Sequence, residues 1–222
     1  MKKVGMVDID WSKIDDYDDD DITYFMFLEG KKVNTLCKIR NLSEDTIKRH
    51  ILNGKIKYGI LAKSNDVHKL FEIMMTTPKQ DKIDTLKGLK CEDKNELIEF
   101  IRNSYADMST KAKEIAVWIL GEIGNKDVVD ILSKASVNNH VNVRRMSISA
   151  LGKIGDIKSE DILIRALDDS NSQVIMYAVK ALLKIKSLKA ADKIKEIYNS
   201  TDKEYLKLSA QRYLESDLED KR

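Results

Sequence analysis

Apolar positions in the second half of the chain recur at i, i+3 and i+4, the spacing that places them along one side of a helix. Ile101, Leu132, Leu163 and Ile194 fall in one column, and Ser104, Ala135, Ala166 and Ile197 in another. A second set of stripes lies between them. Ala116-Val-Trp-Ile-Leu-Gly-Glu-Ile-Gly124 returns as Ser147-Ile-Ser-Ala-Leu-Gly-Lys-Ile-Gly155 and, weakened, as Ala178-Val-Lys-Ala-Leu-Leu-Lys-Ile-Lys186. The offset is 31 residues each time, and a faint fourth copy covers Ser209 to Leu214. Each period thus holds two amphipathic helices that cannot bury their faces alone, which predicts a stack of helix pairs. Leu120, Leu151 and Leu182 are expected at equivalent buried sites. Gly124 and Gly155 stand where a left-handed residue ends a helix. Gly121 and Gly152, one turn earlier, predict close approach of neighbouring helices. The third copy loses both glycines and the fourth most of the motif, as a terminal cap does.

The first half carries shorter stripes, each present once. Ile22 to Glu29 reads as a helix with Asp21 as its cap and Gly30 as its end. Val33, Leu36, Cys37 and Ile39 form a second stripe, followed by the turn Arg40-Asn41-Leu42. Ser43 caps a third helix carrying Ile47 and Ile51, which Gly54 can close. Short helix, tight turn and capped basic helix is the layout of a helix-turn-helix. Asp66 to Thr76 reads as a connecting helix, and Thr77 can cap a further one with Pro78 at its first position. The expected organisation is an acidic arm over 1–21, a helix-turn-helix-like unit over 22–61 and connecting helices over 62–92. HEAT-like helix pairs over 93–215 and a charged tail over 216–222 complete it.

Composition narrows the class. The 222 residues include one proline and nine glycines, well below the usual roughly 5% and 7%. Sandwiches and barrels need frequent turns, so an all-β fold is excluded. The expected class is all-α: an α-solenoid of about four helix pairs with an N-terminal helix-turn-helix unit. The net charge of +2 hides an asymmetry, since residues 1–21 sum to −5 and residues 22–61 to +5. Cys37 and Cys91 stand alone, which argues against a disulfide scaffold or a zinc site and for a reducing cytoplasm. The longest apolar run, Ile115 to Leu120, falls far short of the roughly 20 residues that span a bilayer. The N-terminus has no apolar stretch of the signal-peptide kind.

The repeat pattern, Asp/Asn-x-x-Val-Arg followed by Ala-Leu-Gly-x-Ile-Gly over about Asp93 to Leu214, resembles the short HEAT repeats of bacterial proteins, of the kind also found in phycobilisome-lyase-like proteins. That resemblance implies an α-solenoid whose concave face is lined by the second helices. It does not imply lyase activity, because the repeat is a scaffold for unrelated functions. It also implies that Arg144 bonds loop carbonyls and Asp side chains near Asn138, Val143, Asp169, Asn171 and Val174. Ile22 to Ile51 is similar to the helix-turn-helix module at the C-terminus of RecQ-type helicases. The matching pieces are Glu29-Gly30-Lys31, Ile39-Arg40, Leu42-Ser43, Thr46-Ile47 and His50-Ile51, with Cys37 as a departure. This resemblance implies that the third helix enters the major groove with Lys48 and Arg49 outward. Lys31, Lys32, Lys38, Arg40, Lys55 and Lys57 could then pair with phosphates. Glu44 and Asp45 at that helix's first turn would repel phosphate. The same unit could equally serve packing or protein contact.

Other chemistry is thin. Asp15 to Asp21 lacks the Gly and Glu of a calcium loop. It is either a solvated tail or an arm that folds back on the basic unit and competes with nucleic acid. Val7-Asp8-Ile9-Asp10 has no strand–helix alternation after it, and no phosphate loop, nucleophile elbow or zinc-protease motif occurs. His50, His68 and His140 are far apart in any stacked-helix arrangement. No catalytic, metal or cofactor residue is therefore assigned. The column Trp118, Ser149, Lys180, Gln211 is mostly polar, so Trp118 is expected on the solvent side of the second helices or packed under the N-terminal unit. Arg145, Lys153, Lys180 and Lys184 could form a basic stripe on the concave face, interrupted by Glu114 and Glu122. The expectation is a non-enzymatic adaptor: a protein partner on the solenoid, DNA as a further candidate at the helix-turn-helix, and neither membrane nor small-molecule cofactor. The alternative is a DNA-binding protein that also uses the concave face. A continuous basic groove would favour DNA, and a mixed or apolar one a protein.

Overall fold

The structure, a computed structural model, describes residues 2–219, with side chains as far as Ser216. These residues are helical almost throughout, as the all-α expectation requires, and the one sheet is a two-stranded hairpin. They divide into two compact units between Phe100 and Ile101.

The N-terminal unit opens with β1 (Lys2–Val4) and β2 (Val7–Ile9), antiparallel with Lys2 opposite Ile9. Gly5 turns the hairpin at φ +60°, where a Cβ would come within 2.5 Å of the Leu61 carbonyl oxygen. Met6 N–H donates to that same oxygen at 2.9 Å. Met6, Val7 and Ile9 are buried. The acidic arm is thus no solvated tail; it folds back and carries core side chains.

After a 3-10 turn over Trp11–Asp16 come α1 (Asp19–Leu28), α2 (Val33–Arg40) and α3 (Glu44–Lys63). The cap of α1 is Asp18, whose carboxylate accepts from Asp21 N–H at 2.7 Å, rather than Asp21. Three acids in the first turn favour the earlier start through the helix dipole. Asn41, left-handed at φ 51°, ends α2, and Ser43 caps α3 by accepting from Thr46 N–H. Ile47 and Ile51 are buried as expected. Gly54 does not close α3, which runs on to Lys63. A Cβ at Gly54 would fall 2.1 Å from the Tyr24 ring, so this glycine admits α1 rather than ending a helix. Next come α4 (Val67–Met74), capped by Asp66, and α5 (Lys79–Gly88). Pro78 sits at the cap position, and Thr77 donates back to the Ile73 carbonyl, finishing α4 instead of opening α5. The division between units falls inside α6 (Cys91–Ser104).

In the second unit, α7 (Thr110–Ile123), α9 (Val141–Ile154), α11 (Ser172–Lys184) and α13 (Glu204–Glu219) are the second helices of the pairs. The first helices α8 (Val129–Ala135), α10 (Glu160–Arg165) and α12 (Ala191–Ser200) pack against α9, α11 and α13 respectively. Each second helix also packs on the next, giving the α-solenoid. Ile101, Leu132, Leu163 and Ile194 have no exposed surface, and neither do Leu120, Leu151 and Leu182. Gly121 and Gly152 sit against Ala150 and Ala181, where an added Cβ would lie 2.7 and 3.0 Å from the alanine methyl. Gly124 and Gly155 cap their helices in the left-handed region, and Lys186 takes the same conformation at φ 55° in the third copy. α13 continues through the first residues of the expected charged tail, of which 220–222 lie outside the described residues.

Candidate functional site

The 31-residue offset puts equivalent side chains of the second helices in register, and helical spacing selects which of them share the outer face. One column is Ile115, Met146, Tyr177 and Leu208; the first three are half-buried and Leu208 is 47% exposed. Beside it run Trp118, Ser149, Lys180 and Gln211. Flanking columns hold Glu114, Arg145, Met176 and Lys207, and Glu122, Lys153, Lys184 and Glu215. All are partly or fully exposed. The second-helix face is therefore mixed: an apolar line bordered by Glu114 and Glu122 at the first repeat, by cations over the middle ones and by both Lys207 and Glu215 at the last.

The five residues expected on this face, Trp118, Arg145, Lys153, Lys180 and Lys184, all stand on it, in different roles. Lys153 pairs with Glu122 of the preceding repeat. The Lys184 ammonium donates to the carbonyls of Gly152 and Lys153 at 2.9 and 2.7 Å, closing the end of α9. Both lysines therefore join adjacent repeats. Arg145 and Lys180 instead lie over Tyr177, each 5.9 Å from the ring centroid. An open cavity of ≈ 280 Å³ is lined by Ser149, Tyr177, Lys180 and Lys184, among others. Trp118 is half-buried on α7. The apolar column escaped the sequence reading, which followed Trp118 down its own polar column. The signal was the same offset applied three residues earlier.

Arg144 holds the loops together, as the resemblance implies. Its guanidinium forks onto Asp169 at 2.7 and 2.9 Å and donates to the carbonyls of Asn138 and Asn139. Burial alone would raise the Asp169 pKa, but the bonds from Arg144 and Asn171 N–H outweigh it and hold it below its ordinary value.

In the N-terminal unit the acids of α1 occupy much of the basic face. Arg40 pairs with Asp19. The Lys57 ammonium donates to both oxygens of Asp21 at 2.8 Å and to Asp18 at 3.4 Å. Burial works against that charge, yet the Asp21 bonds keep the Lys57 pKa above its ordinary value. Tyr58 beside it is pushed up to about 12 by burial. Asn53 donates to Asp20, and the buried His50 ring bridges Asp20 and Thr23 at 3.3 and 3.1 Å. Lys48 pairs with Glu44, and the Lys55 ammonium sits 5.5 Å from the Phe27 ring. Lys31, Lys32, Lys38 and Arg49 are exposed. Arg40, Lys48 and Lys57, three of the eight candidate DNA contacts, thus already hold carboxylates. Ion pairs at such a surface are individually weak, but these three offset part of the unit's positive charge.

Among the described residues no group of His, Cys, Asp or Glu is placed to hold a metal ion. No described helix is long and apolar enough to cross a membrane. Cys37 and Cys91 are both free thiols. A family model described as HEAT repeats matches residues 95–175 and again residues 140–215, together more than half of the chain. No curated protein matches the sequence.

Proposed function

The chain belongs to the HEAT-repeat family, and on that premise we propose that it is a protein-binding scaffold that holds a partner segment across α7, α9, α11 and α13. The observation that carries this is the apolar column Ile115, Met146, Tyr177 and Leu208, which crosses all four second helices without a polar break. Nucleic acid needs cations that follow a phosphate chain. On this face Glu114 and Glu122 stand at one end, and Lys153 and Lys184 are engaged between repeats. Partly exposed apolar residues rimmed by charges of both signs suit a protein interface instead. In the N-terminal unit the pairing of Arg40 and Lys57 with α1 argues against a phosphate track there too. Lys31, Lys32, Lys38, Arg49 and Lys55 are left as the candidates for DNA contact. We assign the chain no catalytic step.

Replacing Met146 and Leu208 together by Asp tests this. Both side chains are at least partly exposed, so the variant should keep its helical circular dichroism and thermal midpoint. Partners retained from native lysate should survive nuclease treatment and be lost on the variant. Retention that disappears with nuclease, or that ignores both substitutions, would remove the protein-scaffold reading.

A further inference from the structure

Several cations of the second unit pair with carboxylates: Arg102 with Asp130, Arg144 with Asp169, Lys153 with Glu122, Lys189 with Glu160 and Lys193 with Asp168. Arg145 and Lys180 are held differently. Among the described residues neither has a carboxylate partner, and what they share is the Tyr177 ring. An aromatic face attracts a cation through its quadrupole but carries no net charge to cancel it. Two positive charges from adjacent helices therefore converge on one ring and stay uncompensated. Ser149, one turn along α9 from Arg145, lines the same open cavity. Its hydroxyl makes no hydrogen bond within the described residues and can donate to an incoming oxygen.

We propose that Arg145, Lys180 and Ser149 form an anion subsite, and that the segment held there is an acidic peptide with a Glu or Asp side chain over the Tyr177 ring. This rests on the protein-scaffold reading and names the chemistry of its partner. An arginine fork and an ammonium brought to one ring from adjacent helices, the ammonium also lining the cavity, match the two oxygens of a carboxylate. Met146 and Leu208 extend along the neighbouring column, so the same segment must carry apolar residues beside its acid. Charge also sets its direction. Glu114 stands in the first repeat where Arg145 stands in the second, so the acidic part belongs over α9 and α11 and not over α7. A polyanionic strand following the same column would run from Arg145 straight onto Glu114, which is why a peptide fits better than a nucleic acid.

Adjacent packed helices lie roughly 8–10 Å apart, and an extended peptide advances about 3.3 Å per residue. Every third residue of such a peptide therefore meets the next repeat. The probe is a fluorescein-labelled peptide of about twelve residues, enough to cross four helices, with Leu at every third position and Glu between. Its analogues carry Gln or Lys in place of Glu, and a labelled oligo-dT serves as the nucleic-acid arm. Fluorescence anisotropy should show the Glu peptide binding the full chain, more weakly as salt rises, with the Gln peptide weaker and the Lys peptide silent. Arg145→Ala with Lys180→Ala should weaken the Glu peptide at least about tenfold, with the thermal midpoint unchanged. Arg145→Glu with Lys180→Glu should reverse the preference toward the Lys peptide.

Equal binding of the Glu and Gln peptides, or a Glu peptide indifferent to the double alanine variant, would overturn the anion subsite. The scaffold reading would survive if Met146→Asp with Leu208→Asp still abolished partner retention. A silent Glu peptide, with oligo-dT bound through Arg145 and Lys180, would overturn the peptide assignment in favour of nucleic acid. Absence of binding by every peptide would overturn the subsite, and the scaffold reading would fall with it only if the Asp variant also left partner retention intact.

Discussion

Arg144 shows how much one side chain can organise in a repeat. It is 14% exposed and Asp169 9% exposed, and its three nitrogens reach both oxygens of Asp169 and two loop carbonyls. Removing one partner of such a pair leaves the other desolvated and unmatched. Arg144→Ala should therefore cost about 3 kcal/mol in urea unfolding at neutral pH. Arg144→Lys keeps the charge but loses the fork, and should recover only part of the loss. Because the folded Asp169 pKa is lowered from 3.8, its contribution is present above that value and is lost as pH falls through the lower folded value. The gap between wild type and Arg144→Ala should thus narrow in acid. A gap that widens there would show that Asp169 is not the partner that matters. This role was legible in the sequence, because Arg144 recurs in a family pattern. The convergence of Arg145 and Lys180 on Tyr177 was not, since it depends on side chains from two helices meeting in space.

At the scale of elements, α3 marks where local signals mislead. Its expected end at Gly54 followed from the habit of glycine to close helices, but here the glycine serves packing. A Cβ at Gly54 would overlap the Tyr24 ring, whereas one at Gly59 would meet nothing within 4 Å. The two glycines of one helix should therefore respond in opposite directions to the same change. Gly54→Ala should destabilise the N-terminal unit by about 1–3 kcal/mol through overpacking. Gly59→Ala should stabilise it by about 0.5–1 kcal/mol through backbone entropy alone. Thermal unfolding of the two variants checks the pair, and equal shifts would refute the packing account. The acidic arm was left between two readings for a related reason. Its eight aspartates outweigh Met6, Val7 and Ile9 in any average, and two strands of three residues are too short for alternation to register. Its charges also found partners on α2 and α3, Arg40 and Lys57, which no local window brings together.

At the scale of the molecule, the 31-residue period made the second unit legible and its absence left the first obscure. A column of four equivalent residues averages out local noise; a helix present once gives no such check. The same period governs how the second unit should unfold. Each second helix packs on its sequence neighbours, α7 on α9, α9 on α11 and α11 on α13, so stability is close to a sum of repeat and nearest-neighbour terms. The fourth repeat is also tied back by the Tyr213 hydroxyl, which donates to the Ser187 carbonyl after α11. Leu182 is wholly buried on α11, so Leu182→Ala should cost about 2–5 kcal/mol. That loss should not spread evenly. Hydrogen exchange should show protection falling most in α11 and α13, less in α9 and least in α7, because the fourth repeat loses its neighbour while α7 still has α9. Leu120→Ala should give the reverse gradient, with α7 affected most. A uniform loss of protection from either variant would mean that the repeats open as one block and that the nearest-neighbour account is wrong.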